Sequence, residues 1–201
     1  FTDESKDNNG GALYINNEGD DNLLISGCNF NLNKAELGSA IYINSNETAK
    51  IEFSLFFDNI SICTPEGGGT VYSNESMIDI KNVTFADNQL DNYSADNSAA
   101  SIYSDNNSTI NVINSILWNA STDIVVFFGI MNISFSDIYG GFDGEGNRNE
   151  APLFSNSGNR DYRLTEGSHC IGTGVGGSNM GALGIGCDAI SLAPIITSII
   201  E

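Results

Sequence analysis

Four times in the first half of the chain a small-residue phrase closes on an aliphatic side chain and a tyrosine: GGALY at 10–14, GSAIY at 38–42, GGTVY at 68–72 and AASIY at 99–103. A second phrase, Phe-x-x-Asn, follows in the first three rounds, as FNLN from Phe30, FFDN from Phe56 and FADN from Phe85. In the fourth it decays to SILWNA, with Leu117 in the aromatic place and Asn119 in the polar one. Ahead of each aromatic stands an apolar residue, Ile25, Ile51, Ile80 and Val112 in turn. Self-similarity returning about every 26 to 32 residues constrains the fold more than composition does, because one such unit is too thin to bury its own apolar face and must stack on its neighbours.

The pattern inside a unit says what kind of stack. ALYIN, AIYIN and TVYSN are short β-branched and aromatic runs bounded by Gly and Asn, and MIDIKNVTF and TINVINSIL alternate with the period of a half-buried strand. No helical stripe of useful length occurs. The expected fold is therefore all-β, a right-handed parallel β-helix of about four to five coils with a Gly-rich closing segment. Equivalent residues of successive coils then sit about 4.8 Å apart, like upon like. Phe30, Phe56, Phe85 and Leu117 form one interior column, and Leu13, Ile41, Val71 and Ile102 another. Asn33, Asn59 and Asn88 stack at a bend, where amides bond one another and free backbone groups. Gly10, Gly38 and Gly68 mark a turn that needs unusual dihedrals or close approach. Tyr14, Tyr42, Tyr72 and Tyr103 form an outer ladder, read either as structural cross-strand packing or as a carbohydrate-stacking platform.

Charge removes some partners. With 26 Asp+Glu against 7 Lys+Arg the formal charge is -19, which repels phosphate backbones and anionic headgroups, so nucleic acid is not an expected partner. No apolar run reaches the roughly 18 to 20 residues of a membrane span, so membrane insertion is not expected either. Such an acidic skin solubilises an exported chain and draws divalent cations or basic surfaces. Beginning at Phe1, the chain reads as processed or excised. Four cysteines, Cys28, Cys63, Cys170 and Cys187, lack the close pairing of a zinc site. A bridge between Cys170 and Cys187 is favoured, since both lie in one Gly-rich segment that needs a staple. Cys28 and Cys63 are either a pair or two buried thiols.

The paired GGA[ILV] and Phe-x-x-Asn phrases resemble the repeats of chlamydial polymorphic outer membrane proteins and of secreted bacterial right-handed parallel β-helix proteins. The later stretch GEGNRNEAPLFSNSGNRDYRLTEGSHCIGTG, from Gly144, with MGALG from Met180, resembles the segment that ends the coil in the second group. The usual acidic residue after its Ile is Gly172 here. The resemblance implies an exported or surface-displayed coil over 1–139, a closing coil and cap over 140–190, and at 191–201 a linker or the start of a further domain. It does not imply one reaction, since β-helices include lyases, adhesins and passive stalks.

Chemistry is harder to place. In GGFDGEGN, Asp143, Glu145 and Asn147 alternate with glycines, an oxygen set that calcium could use. No cofactor is otherwise required. A lyase would want a basic residue beside acidic calcium ligands, and Lys50 and Lys81 have no recurring acidic cluster in sequence. Asp58, Asp79, Asp87 and Asp105 are carboxylates without a hydrolase pattern. Arg160 and Arg163 flank Asp161 as a structural ion pair. His169, the single histidine, reads as a residue of the closing segment. Asn-x-Ser/Thr matches at Asn46, Asn74, Asn82, Asn92, Asn106, Asn119 and Asn132 are candidate glycan acceptors; those at Asn59 and Asn107 complete the set, and Asn59 is claimed by the interior ladder. The expected function is a non-enzymatic extracellular or cell-surface module, a stalk, adhesin or assembly subunit that meets protein or glycan and self-associates through coil edges. The alternative is a carbohydrate-active or glycan-binding domain using calcium.

Overall fold

The computed structural model describes residues 9–17, 23–62, 67–91, 98–119 and 121–186. The first winding runs through β1 (Leu13–Asn17), β2 (Leu23–Ser26), β3 (Asn29–Asn31) and β4 (Lys34–Ala35). The second repeats it as β5 (Ile41–Ser45), β6 (Thr48–Glu52), β7 (Leu55–Phe57) and β8 (Ile60–Ser61), and the third as β9 (Val71–Asn74), β10 (Met77–Lys81), β11 (Thr84–Ala86) and β12 (Gln89–Leu90). Two more windings follow, without a short fourth strand among the described residues: β13 (Ile102–Asp105), β14 (Thr109–Ile113) and β15 (Ile116–Trp118), then β16 (Ile124–Val126), β17 (Ile130–Ser134) and β18 (Asp137–Ile138). Strands at the same place in each winding pair in parallel, giving three five-stranded sheets, β1-β5-β9-β13-β16, β2-β6-β10-β14-β17 and β3-β7-β11-β15-β18, and the three-stranded β4-β8-β12. The chain is a stacked parallel β-solenoid, with three windings complete in all four strands.

Register shows why the phrases repeat. Leu13 pairs with Ile41, Ile41 with Val71 and Val71 with Ile102, and Ile25, Ile51, Ile80, Val112 and Ile133 align likewise. The Phe30, Phe56 and Phe85 rings stack at 4.7 and 4.6 Å between centroids, and Leu117 and Ile138 continue that column. All belong to one interior cluster except Leu13, expected in the interior column but 37% exposed on the first winding, where no earlier described winding covers it. Each fully buried Phe or Ile there contributes about 1.5–3 kcal/mol. The tyrosines stack in a separate cluster, at 4.9, 5.5 and 5.0 Å. Tyr42, Tyr72 and Tyr103 are buried, and only Tyr14, on the first winding, is exposed, at 56%.

Two columns of left-handed backbone make the bends on either side of the β3-β7-β11-β15-β18 sheet. Ahead of it stand Gly27, Phe53, Asn82, Asn114 and Phe135, and after it Leu32, Asp58 and Asp87, all with φ between 47° and 65°. Non-glycine residues there cost about 1 kcal/mol each, a strain the stacked neighbours hold in place. At the GGALY turn, Gly10 and Gly38 have φ of 68°, and a Cβ on Gly38 would meet the Ile41 carbonyl oxygen at 2.1 Å. Gly68 meets the other half of that expectation: φ is not positive there, and its smallness serves the close approach of the Glu36 carbonyl, 2.8 Å from a Cβ on it.

Residues 140–186 first close the coil and then turn back along its flank. Over the β18 edge, Phe135, Ile138 and Arg148 amides bond Glu145, Arg148 and Ser136 carbonyls. Beyond that, the antiparallel pair β19 (Phe154–Asn156) and β20 (Asp161–Leu164) begins a strap that reaches Asp58 in the second winding and returns to Asn114 in the fourth. The strap covers the outer face of the β3-β7-β11-β15-β18 sheet: Tyr162 lies against Leu55, Phe57 and Ala86, and Leu164, Cys170 and Met180 against Ile116. That sheet is consequently buried on both faces in LFF, TFA and ILW, where alternation would have exposed one.

Candidate functional site

The strap docks through the two bend columns, and its contacts are the most chemically varied in the molecule. On one side, Arg160 Nε lies 2.8 Å from Asp58 Oδ2 with its guanidinium over the Phe57 ring, and Tyr162 donates to Asp87 Oδ2 at 2.9 Å. The left-handed kink at Asp58 and Asp87 presents both carboxylates to the strap. On the other side, Asn82 donates to the Asn179 carbonyl at 3.1 Å, while Asn114 donates to Ser178 Oγ at 3.0 Å and accepts from the Val175 amide at 2.8 Å. Gly181 must be glycine: its φ is 89°, and a Cβ would stand 2.8 Å from Ile116 Cδ1 and from Thr84 Oγ1.

The third anchor joins the strap to the last winding. Asp137, at the start of β18, is fully buried. His169 Nε2 lies 3.1 Å from its Oδ2, and the Cys170 thiol donates to the same oxygen at 3.4 Å, with 3.5 Å between Sγ and Nε2. The Glu150 amide donates to Asp137 Oδ1 at 3.2 Å, and the Glu150 carboxylate lies 4.0 Å from His169 Nδ1. Burial pushes the Asp137 carboxyl up, against the hydrogen bond from Glu150 and the charge of His169. Burial, then the charge of Asp137, pushes the Cys170 thiol up as well. Sequence reasoning missed this cluster, since Asp137 stands far from His169 and Cys170 in the chain and carries no motif.

Cys170 is a free thiol that bonds Asp137, and the favoured Cys170–Cys187 bridge falls on a partner outside the described residues. Cys187 and Cys63 lie outside the described residues, and Cys28 is a free, half-buried thiol.

The interior ladder ends in a second buried carboxylate. The Asn33 side chain donates to Asn59 at 2.9 Å, Asn59 to Asn88 at 2.8 Å and Asn88 to Asn119 at 3.2 Å, and each accepting oxygen also takes the backbone amide of the donating residue. Asn119 then donates to Asp123 and to Ser101 Oγ. Burial raises the Asp123 carboxyl to about 6, against the hydrogen bonds from Ser101 and Asn119.

The other candidates scatter. Asn147, expected beside calcium, spends its amide on the fold, accepting from the Ser136 amide and donating to the Ile133 and Phe142 carbonyls. Asp143 and Glu145 are exposed, and Arg148 lines the same depression as Asp143, which disfavours a cation there. Asp79 bonds Asn111 and Asp105 bonds Tyr72. Lys50 stands opposite Asp79 and Lys81 opposite Glu52 in register. Arg163 pairs with Asp161 and holds its carboxyl down. Among the sequons, Asn46, Asn106, Asn107 and Asn132 are exposed and Asn74 half-buried. Asn59 and Asn119 are buried in the ladder, and Asn82 is bonded under the strap, so none of these three can accept a glycan in the folded chain. Asn92 lies outside the described residues. The tyrosine ladder presents only Tyr14 to solvent, so it is a packed column and not a platform for sugars.

No family model, curated protein or solved structure matches the chain. Among the described residues no helix is long and apolar enough to cross a membrane.

Proposed function

We propose that this chain is a structural module of an exported or cell-surface protein, a rigid solenoid stalk of the kind its repeats resemble, which assembles end to end with further windings. The observation that carries the reading is that, among the described residues, the stacking columns end on exposed side chains in the first and last windings. Asn33 donates along its ladder, while among the described residues nothing donates to its side-chain oxygen. Tyr14 stacks on Tyr42 and is 56% exposed, and Leu24 and Leu32 are 60% and 63% exposed on the same winding. At the far end Phe127 stacks on Tyr103 and is itself exposed, beside Val126, Phe128 and Ile130. A parallel edge with free amides and an apolar surface is a template for another strand. Head-to-tail contact sets Tyr14 of one copy over Phe127 of the next and continues the aromatic column, an open heterologous arrangement.

Charge of -19 opposes such contact at low salt. Sedimentation at rising salt is therefore expected to show concentration-dependent rods that Leu24→Lys disperses. Particles that stay single at every concentration and salt would overturn the assembly reading. Protease shaving of intact source cells checks the location, with loss of the domain expected and full protection contradicting it.

A further inference from the structure

We infer that Asp137, His169 and Cys170 form a site for a divalent transition metal of the zinc class, which clasps the strap to the last winding. Their Oδ2, Nε2 and Sγ lie within 4.8 Å of one another, at 3.1, 3.4 and 3.5 Å. Tetrahedral zinc, with bonds of about 2.3 Å to sulfur and about 2.0–2.2 Å to nitrogen and oxygen, sets its donors roughly 3.3 to 3.6 Å apart, close to this triangle. Each residue contributes one ligand atom, and every pair of the three atoms is in contact. The outer contacts suit ligation too: the second oxygen of Asp137 is fixed by the Glu150 amide, and the far nitrogen of His169 faces the Glu150 carboxylate, as ligating groups are commonly oriented.

The donor set selects the ion. Thiolate with imidazole favours zinc, cobalt or copper, whereas calcium and magnesium want oxygens alone. Three protein ligands leave one position for water, and the His169 side chain, 17% exposed against 0% for Asp137, marks the access route. Binding replaces the S–H bond by a sulfur–metal bond and releases one proton to solvent, so affinity rises with pH. The inference is independent of end-to-end assembly, which is argued from none of these three residues.

Cobalt(II) is the probe, added to reduced protein in excess magnesium so that surface carboxylates are already occupied. The expected result is a sulfur-to-cobalt charge-transfer band saturating at one equivalent, bleached by zinc, with affinity tightening as pH rises. Cys170→Ser abolishes the band and Cys187→Ser keeps it. His169→Gln, at a partly exposed position that the fold tolerates, weakens binding at least tenfold. Zinc also slows amide exchange in 168–181. Absence of the band in the reduced wild-type protein, a band that follows Cys187 instead of Cys170, or unchanged affinity in His169→Gln overturns the assignment.

Discussion

The coil and the strap cover two faces of the same sheet by different means. Inside the coil, the first three windings add the same few contacts: an aliphatic residue on an aliphatic residue, a ring on a ring, an amide on an amide. The strap crosses those windings, so no contact repeats: Arg160 meets Asp58, Tyr162 meets Asp87, Ser178 meets Asn114, and His169 and Cys170 meet Asp137. Translation by one winding makes each coil contact support its neighbours, as in other repeat architectures. Strap contacts stand singly, several of them at partly exposed positions. Cooperativity is therefore expected to lie in the coil, unfolding as a unit, with the strap lifting from it at lower free energy.

Substitutions in the two regions can break that contrast. The largest effect is expected for Phe56→Ala, which removes a fully buried ring between Phe30 and Phe85 and costs about 3–5 kcal/mol in denaturant unfolding, with one cooperative transition retained. Asn88→Ala strips the Asn59 amide, the Asn59 side chain, the Phe56 carbonyl and the Asn119 oxygen of a partner. It is expected to cost about 2–3 kcal/mol and to speed amide exchange at that bend in the windings on both sides.

Asp123 gives the coil a pH signature of its own. Since burial raises its folded value to about 6, above the unfolded value near 4, the folded chain holds this proton more tightly. The group's contribution is complete below about pH 4 and is lost as pH climbs through about 6, on the order of 3 kcal/mol in all. Site-resolved carboxyl NMR is expected to show its midpoint near 6, and a midpoint near 4 would place it in water. The smallest effect belongs to the strap: Tyr162→Phe loses the bond to Asp87 and about 1 kcal/mol. Faster proteolysis around 155–165 is expected there, with little change in global unfolding; an equal loss in global stability would merge the two regions into one unit.

The same contrast decides what could be read in the sequence. The Phe30, Phe56 and Phe85 column and the Asn33, Asn59 and Asn88 ladder were legible because translation forces like residues to recur. The fifth winding was harder, since it returns early and without its phrases: Ile124 stands in the place of Ile102, Val125 in that of Tyr103 and Ile138 in that of Leu117. Asp123 was hidden in the same way, closing a ladder of amides with a different residue type. For the strap, the order of phrases marked a closing segment, but nothing local tells His169 and Cys170 that Asp137 will lie beside them. Burial of LFF and TFA on both faces was a usable signal, because an outward apolar residue in a repeated strand requires a cover.

The central claim is that corresponding residues of successive windings touch in single file. Ring-to-ring nuclear Overhauser effects on a sample with selectively labelled phenylalanine test it most directly. The account predicts contacts from Phe56 to both Phe30 and Phe85, none between Phe30 and Phe85, and the cross-strand pattern of parallel pairing. Close Hα–Hα contacts between β3 and β7, the mark of antiparallel strands, or direct contact of Phe30 with Phe85, would contradict it.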